Sequence, residues 1–188
     1  MSDAANQTDI VIAGAARTPM GGFAGDFSSV ASPQLGGAAI KAALENAGAS
    51  PDAVSEILMG CVLPAGVGQA PARQAGFAAG LDESIPAATL NKVCGSGMKT
   101  VMMAHDLIRA GSAALVVAGG MESMTNAPYL SGKMRSGARL GHASLQDHMF
   151  LDGLEDAYDK GRLMGSFAED CASHYQFSRA AQDEFALQ

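Results

Sequence analysis

One cysteine, placed where a strand gives way to a helix, is the residue in this chain best suited to covalent chemistry. The stretch Leu90-Asn91-Lys92-Val93-Cys94-Gly95-Ser96-Gly97-Met98-Lys99-Thr100 follows strand-like residues 87–90. It precedes apolar side chains at helical spacing, namely Met98, Val101, Met102, Ala104 and Leu107. Cys94 therefore falls at a helix N-terminus, where unpaired N–H groups and the positive end of the helix dipole favour a thiolate, the reactive form of cysteine. Gly95 and Gly97 let a bulky group approach the backbone closely, which a small core thiol would not require. The chemistry this suits is nucleophilic attack by the thiolate on a substrate admitted by the glycines.

Other reactive side chains read as structural. Cys61 lies inside the apolar run Ile57-Leu58-Met59-Gly60-Cys61-Val62, and Cys171 shares a helical segment with Phe167 and Ala168, so both are expected to be packed and inert. His105 is about three helical turns beyond Cys94, too far to activate it within one helix. His142, His148 and His174 are expected in loops or at the surface, and no Cys/His spacing suggests a metal site. Glu122, within Gly119-Gly120-Met121-Glu122-Ser123, is expected to brace the turn after a buried strand rather than to act as a base. Met98, Met102, Met103 and Met121 suggest a soft, adaptable core.

Elements able to hold Cys94 follow from the hydrophobic pattern. It predicts strands over 10–13, 56–62, 87–90 and 114–118, with helices over about 35–46, 70–79 and 97–110. Alternation of this kind implies an α/β fold in which helices cover a mainly parallel or mixed sheet. Ser50 and Pro51 suit the cap and first position of a short helix. After Met124 a run of Gly, Ser, Asn and Pro breaks the pattern until about Leu145, which places a boundary between 1–124 and 125–188. Helices are expected over 166–174 and 178–187, the second capped by Ser178.

With 188 residues, 48% of them hydrophobic and 16% charged, the chain can bury a real core as one domain or as a domain with an appendage. A net charge of −7 with scattered Lys and Arg excludes a nucleic-acid-binding face. Lys133, Arg135 and Arg139 form the only concentration of positive charge, suited to an anionic ligand or to a solvated loop. The longest apolar runs are too short to cross a bilayer, and residues 1–9 lack the basic start and apolar core of a signal peptide. Three cysteines without paired spacing argue against a disulfide framework and for a reducing, cytoplasmic setting.

The stretch from Leu90 to Thr100 resembles the acyl-enzyme signature of the thiolases, the acetyl-CoA C-acetyltransferases and their 3-ketoacyl-CoA relatives. Ile10-Val11-Ile12-Ala13-Gly14-Ala15-Ala16-Arg17-Thr18-Pro19, Gly68-Gln69-Ala70-Pro71-Ala72-Arg73-Gln74-Ala75 and Ala118-Gly119-Gly120-Met121-Glu122-Ser123-Met124-Thr125 also resemble family segments, in the family's order. The resemblance implies that 1–124 is the N-terminal α/β/α half, with a mixed sheet, and that 125–188 begins the loop domain that covers coenzyme A. It implies an acyl-thioester on Cys94, whose backbone N–H donates to the thioester oxygen as one arm of an oxyanion hole, a pantetheine channel lined by Leu154 and Met164, and coenzyme A thioesters as substrates with no further cofactor. It also implies a homodimer or homotetramer built on N-terminal halves, and a place in lipid metabolism. Ketoacyl synthases also carry a cysteine at a helix start, but Lys92 to Met98 and the Gly119 to Met124 turn fit thiolases better.

Three family residues come from a second α/β/α half: a histidine in Gly-His-Pro, a water-holding asparagine and a cysteine in a Cys-Gly-Gly turn. Gly141-His142-Ala143 and Cys171-Ala172-Ser173 do not match them, and Leu163 stands where several short-chain members have histidine. The chain alone is therefore expected not to turn over, with the completing half either cut away or supplied as a separate chain; the alternative is an inactive thiolase-like fragment that serves as an assembly partner and retains the cysteine by descent. A final helix reaching Ala186-Leu187-Gln188 without a capping glycine reads as interrupted.

Overall fold

Glu56-Ile57-Leu58-Met59-Gly60 forms β1, and four of its five residues are buried, as a continuous apolar run requires when both faces of a strand are covered. The computed structural model describes residues 9–188, so all but Asp9 of the segment tested above for a signal peptide lies outside the described residues. These residues divide into two compact units, one ending at Pro128 and the other starting at Tyr129.

In the first unit, helix α1 (Ser32–Ala47), β1 (Glu56–Gly60), α2 (Pro71–Ala78), β2 (Ala87–Leu90), α3 (Ser96–Arg109) and β3 (Val116–Gly120) follow one another. The strands run parallel in the order β2-β1-β3, with Ile57 opposite both Ala87 and Val117. Alternation along β1 sends Ile57 and Met59 into one core with Ile40 and Leu44 of α1, Ala72 and Ala75 of α2, and Met121. Burying a side chain the size of Ile57 contributes about 2 kcal/mol. The opposite face of β1 meets α3, where a Cβ on Gly60 would lie 2.6 Å from Ser96 Cβ. Close packing of α1 on its neighbours also depends on missing side chains: a Cβ on Gly36 would come 2.6 Å from Met121 Sδ.

Two expectations are corrected. Residues 10–13 form no strand; Val11 and Ile12 are 73% and 78% exposed, while Ala15 accepts a hydrogen bond from Asn46 of α1. A strand exists only where a neighbour pairs with its backbone, and β-branched residues alone supply none. Met98 and Met102 are 74% and 53% exposed, so they are not core; α3 instead buries Ser96, Thr100 and Ala104. Helix α1 also starts earlier than expected, at Ser32, because Pro33 fits a first helical turn where its missing N–H costs nothing.

The second unit opens with the antiparallel pair β4 (Tyr129–Leu130) and β5 (Gln146–Asp147), joined by an exposed loop that carries Lys133, Arg135 and Arg139. A single π-helical turn, Phe150–Leu154, follows, and then α4 (Met164–His174) and α5 (Arg179–Leu187). Ser178 caps α5 as expected, accepting from Ala181 N–H at 3.1 Å. His148 is not a surface residue: it is buried, with Nδ1 2.6 Å from Asp152 Oδ2. Among the described residues no helix is long and apolar enough to cross a membrane.

Candidate active site

Parallel strands deliver all their C-terminal ends to one edge of a sheet, where α/β proteins place their ligands. At that edge β1 leads into Cys61-Val62-Leu63, β2 into Asn91-Lys92-Val93-Cys94 and β3 into Met121-Glu122. Residues from all three ends border an open cleft of about 510 Å³, together with Arg17 and Thr18 from the segment before α1.

Cys94 borders this cleft as an exposed, free thiol immediately before Gly95, which caps α3. Val93, just ahead of it, has φ 46°. A β-branched residue there costs roughly 1–3 kcal/mol and persists only when its surroundings hold it. Here they do. Asn91 Oδ1 accepts from Val93 N–H at 2.9 Å, and the Ser96 hydroxyl donates to the Val93 carbonyl at 2.6 Å while accepting from Lys92 N–H at 2.8 Å. Thr100, fully buried, ties α3 to β3 by a hydroxyl 3.0 Å from the Gly119 carbonyl.

Glu122 does not brace its own turn. Its carboxylate reaches the end of β1, accepting from Val62 N–H at 2.8 Å and from Leu63 N–H at 3.0 Å. The Cys61 thiol lies 3.6 Å from the same carboxylate. Burial first, then the charge and hydrogen bond of Glu122, push the Cys61 thiol up to about 11, so it is held protonated. As expected from its apolar strand, Cys61 is packed and unavailable. Cys171 is exposed on α4, contrary to the packed position expected for it; α4 buries none of its residues. His105 is exposed on α3 and sits beside Asp106 rather than in the cleft.

Residues 10–188 match the model of the thiolase N-terminal domain over nearly the whole chain. The chain belongs to the thiolase family. It is 53% identical over 180 residues to an acetyl-CoA acetyltransferase of Cupriavidus necator, a match covering 96% of this chain and 46% of that protein. Acetyl-CoA acetyltransferase 2 of Arabidopsis thaliana is 51% identical over 188 residues, covering 100% of this chain and 46% of its own length. An acetyl-CoA acetyltransferase of Schizosaccharomyces pombe is 49% identical over 180 residues, with 96% and 45% covered. This thiolase chain thus spans about half the length of the curated relatives it matches.

Leu154 and Met164 both lie in the second unit of this thiolase chain, Leu154 at the end of the π-helical turn and Met164 at the start of α4. An antiparallel bridge between Glu155 and Leu163 places them side by side, and Met164 is 43% exposed. Among the described residues no group of three or more His, Cys, Asp or Glu is placed to hold a metal ion. Sequence reasoning missed Asn91 and Ser96 as supports of the Cys94 turn, and Arg17 and Thr18 as its neighbours across the cleft. An Asn two residues before a β-branched residue, with Ser at a helix start, is the local signal that could have found the first pair.

Proposed function

We propose that Cys94 is the nucleophile of an acetyl-CoA acetyltransferase, and that this chain carries the acyl-enzyme half of the reaction. The observation that carries the reading is an exposed thiol on a strained, doubly braced turn at the start of a fourteen-residue helix, bordering a cleft. Relatives named acetyl-CoA acetyltransferase at about half identity support the acyl group chosen.

In the first step Cys94 Sγ attacks the thioester carbon of acetyl-CoA, the bond from that carbon to the coenzyme A sulfur breaks, and the acetyl group stays on Cys94. The coenzyme A thiolate leaves and takes up the proton lost by Cys94. The Cys94 N–H, at the helix start, is one donor to the oxyanion that forms on the way. In the second step a base removes a methyl proton from another acetyl-CoA, the resulting carbanion attacks the acetyl carbon on Cys94, and the bond from that carbon to Sγ breaks, releasing acetoacetyl-CoA and the Cys94 thiolate; thiolysis is the same path reversed. That step needs a base beside the methyl group. Glu122 is a poor choice, since both its oxygens already accept backbone N–H bonds.

Turnover is therefore assigned to a site completed by further residues, those of a C-terminal half in this chain's continuation or in a separate chain. Support comes from the apolar stripe Met98, Val101 and Met102 on the outer side of α3, exposed by 74%, 42% and 53%. A stripe of that kind marks an interaction surface. Leu154 and Met164 are assigned to the pantetheine of the bound thioester, and the assembly to a cytoplasmic homo-oligomer built on the first unit.

Exposure to acetyl-CoA followed by denaturing mass measurement and peptide mapping tests the first step. One acetyl group on Cys94, absent in Cys94→Ala, is the expected result. An unmodified Cys94, or an adduct confined to Cys171, overturns the assignment.

A further inference from the structure

Glu122 and Cys94 border the same cleft from the ends of different strands, β3 and β2, with the end of β1 between them. A continuous path of hydrogen bonds joins them across that gap. Glu122 Oε2 accepts from Val62 N–H at 2.8 Å. The Val62 carbonyl accepts from Asn91 Nδ2 at 3.4 Å, and Asn91 Oδ1 accepts from Val93 N–H at 2.9 Å. Val93, at φ 46°, is bonded on its other side through its carbonyl to Ser96 and is followed directly by Cys94.

Each link has a chemical reason. A carboxylate offers only acceptors, which suits the two N–H groups of Val62 and Leu63. The Asn91 amide offers a donor and an acceptor on one short side chain, so it can serve a carbonyl on one strand end and an N–H on the next. Glu122 alone would clamp β1; the Asn91 donor extends that clamp to the nucleophile turn.

We infer that Glu122 and Asn91 are positioning residues for Cys94, the Glu122–Val62–Asn91–Val93 chain holding the strained turn that presents its thiol to the cleft. This rests on Cys94 being the nucleophile, yet it is read by alkylation, which needs no acyl-CoA. A change that loosened the whole unit would expose buried Cys61, whereas loss of the chain alters Cys94 and leaves Cys61 protected.

Two substitutions break different links. In Glu122→Gln the amide accepts one of the two backbone N–H groups and faces the other with its own donor. In Asn91→Asp the carboxylate still accepts from Val93 N–H but cannot donate to the Val62 carbonyl, so only the middle link is lost. The readout is the iodoacetamide rate at Cys94 relative to exposed Cys171 in the same molecule; Cys61 labelling checks folding in Asn91→Asp, and the urea midpoint checks it in Glu122→Gln, whose side chain lies beside the Cys61 thiol. Each single variant is expected to lower the Cys94 rate about threefold or more, and the double variant no further than the single with the larger effect. If Glu122→Gln exposes Cys61, Asn91→Asp at its exposed position carries the test alone. A wild-type Cys94 rate in Asn91→Asp, or effects that multiply in the double variant, overturns the inference. Absence of acetylation on wild-type Cys94 with the chain's effects intact would instead overturn the proposed function and leave the positioning role standing.

Discussion

Two cysteines leave the same end of one sheet, Cys61 directly after β1 and Cys94 in the turn after its neighbour β2. Cys61 continues a buried strand, and its thiol is enclosed by the α1–α2 core with the Glu122 carboxylate beside it. Cys94 is set off from its strand by a turn with one positive φ and is exposed before a helix. The same residue type at adjacent strand ends is thus stored in one place and presented in the other. What separates them is the path of the backbone after the strand and the groups it meets: burial first and Glu122 second keep one thiol protonated, and Glu122 also bonds the loop beside the other.

The largest effect expected from this contrast is in alkylation. At pH 8 about one Cys61 thiol in a thousand is ionised, given its value of about 11, and burial slows it further. Mapped iodoacetamide labelling should favour Cys94 over Cys61 by at least about a hundredfold; comparable rates would break the comparison.

Next is removal of the shared carboxylate. Glu122→Ala leaves the N–H groups of Val62 and Leu63 without their acceptor, which should cost about 3 kcal/mol in urea unfolding. The Cys61 thiol should then ionise below about 11, since the charge and hydrogen bond are gone, yet above its ordinary value, since burial persists. Thiolate ultraviolet absorbance measures this, and an unchanged titration would show that Glu122 does not act on Cys61.

A pH dependence of similar size follows from the sign of that shift. Below pH 9 the thiol is protonated both folded and unfolded, so the contribution of Cys61 is fully present. Between 9 and about 11 the unfolded chain releases its proton first, and stability falls by up to about 3 kcal/mol as pH rises. Urea midpoints of Cys61→Ala should fall less steeply than those of wild type across that window.

Gly60→Ala should cost about 2 kcal/mol, because its Cβ would lie 2.6 Å from Ser96 Cβ and 3.1 Å from Gly97 N, forcing α3 away from β1. Cys94 labelling should change with it while Cys61 stays protected, which sharpens the comparison by moving one thiol alone. The smallest effect belongs to Ser96→Ala, about 1 kcal/mol in thermal unfolding for the bonds to Lys92 and Val93. Its Cys94 alkylation rate should fall too; a rate equal to that of wild type would show that the hydroxyl does not shape the turn.

Much of this was legible residue by residue. β2 spans the four residues expected, α3 starts within one residue of its expected start, and Ser178 caps α5 through its own side chain. Residues 10–13 show where local reading stops: Ile10-Val11-Ile12-Ala13 has the right side chains for a strand, but a strand is a relation between two segments, and among the described residues none pairs with this one. The methionines of α3 show the same limit. Apolar spacing marks a face without saying what covers it, and here Thr100 and Ala104 turn inward while Met98 and Met102 face outward. His148 errs in the other direction, a polar residue in an irregular stretch that packing buries against Asp152.

By itself the sequence determined the α/β alternation and the place of Cys94 at a helix start. Hydrophobic period, turn glycines and caps act over a few neighbouring residues, so they can be read along the chain. Only the tertiary structure decided that Glu122 serves the end of β1, sixty residues away, rather than its own turn. It also decided that Asn91 and Ser96 hold the strain at Val93. Burial and hydrogen bonding between strand ends depend on which strands become neighbours, and no local pattern carries that pairing.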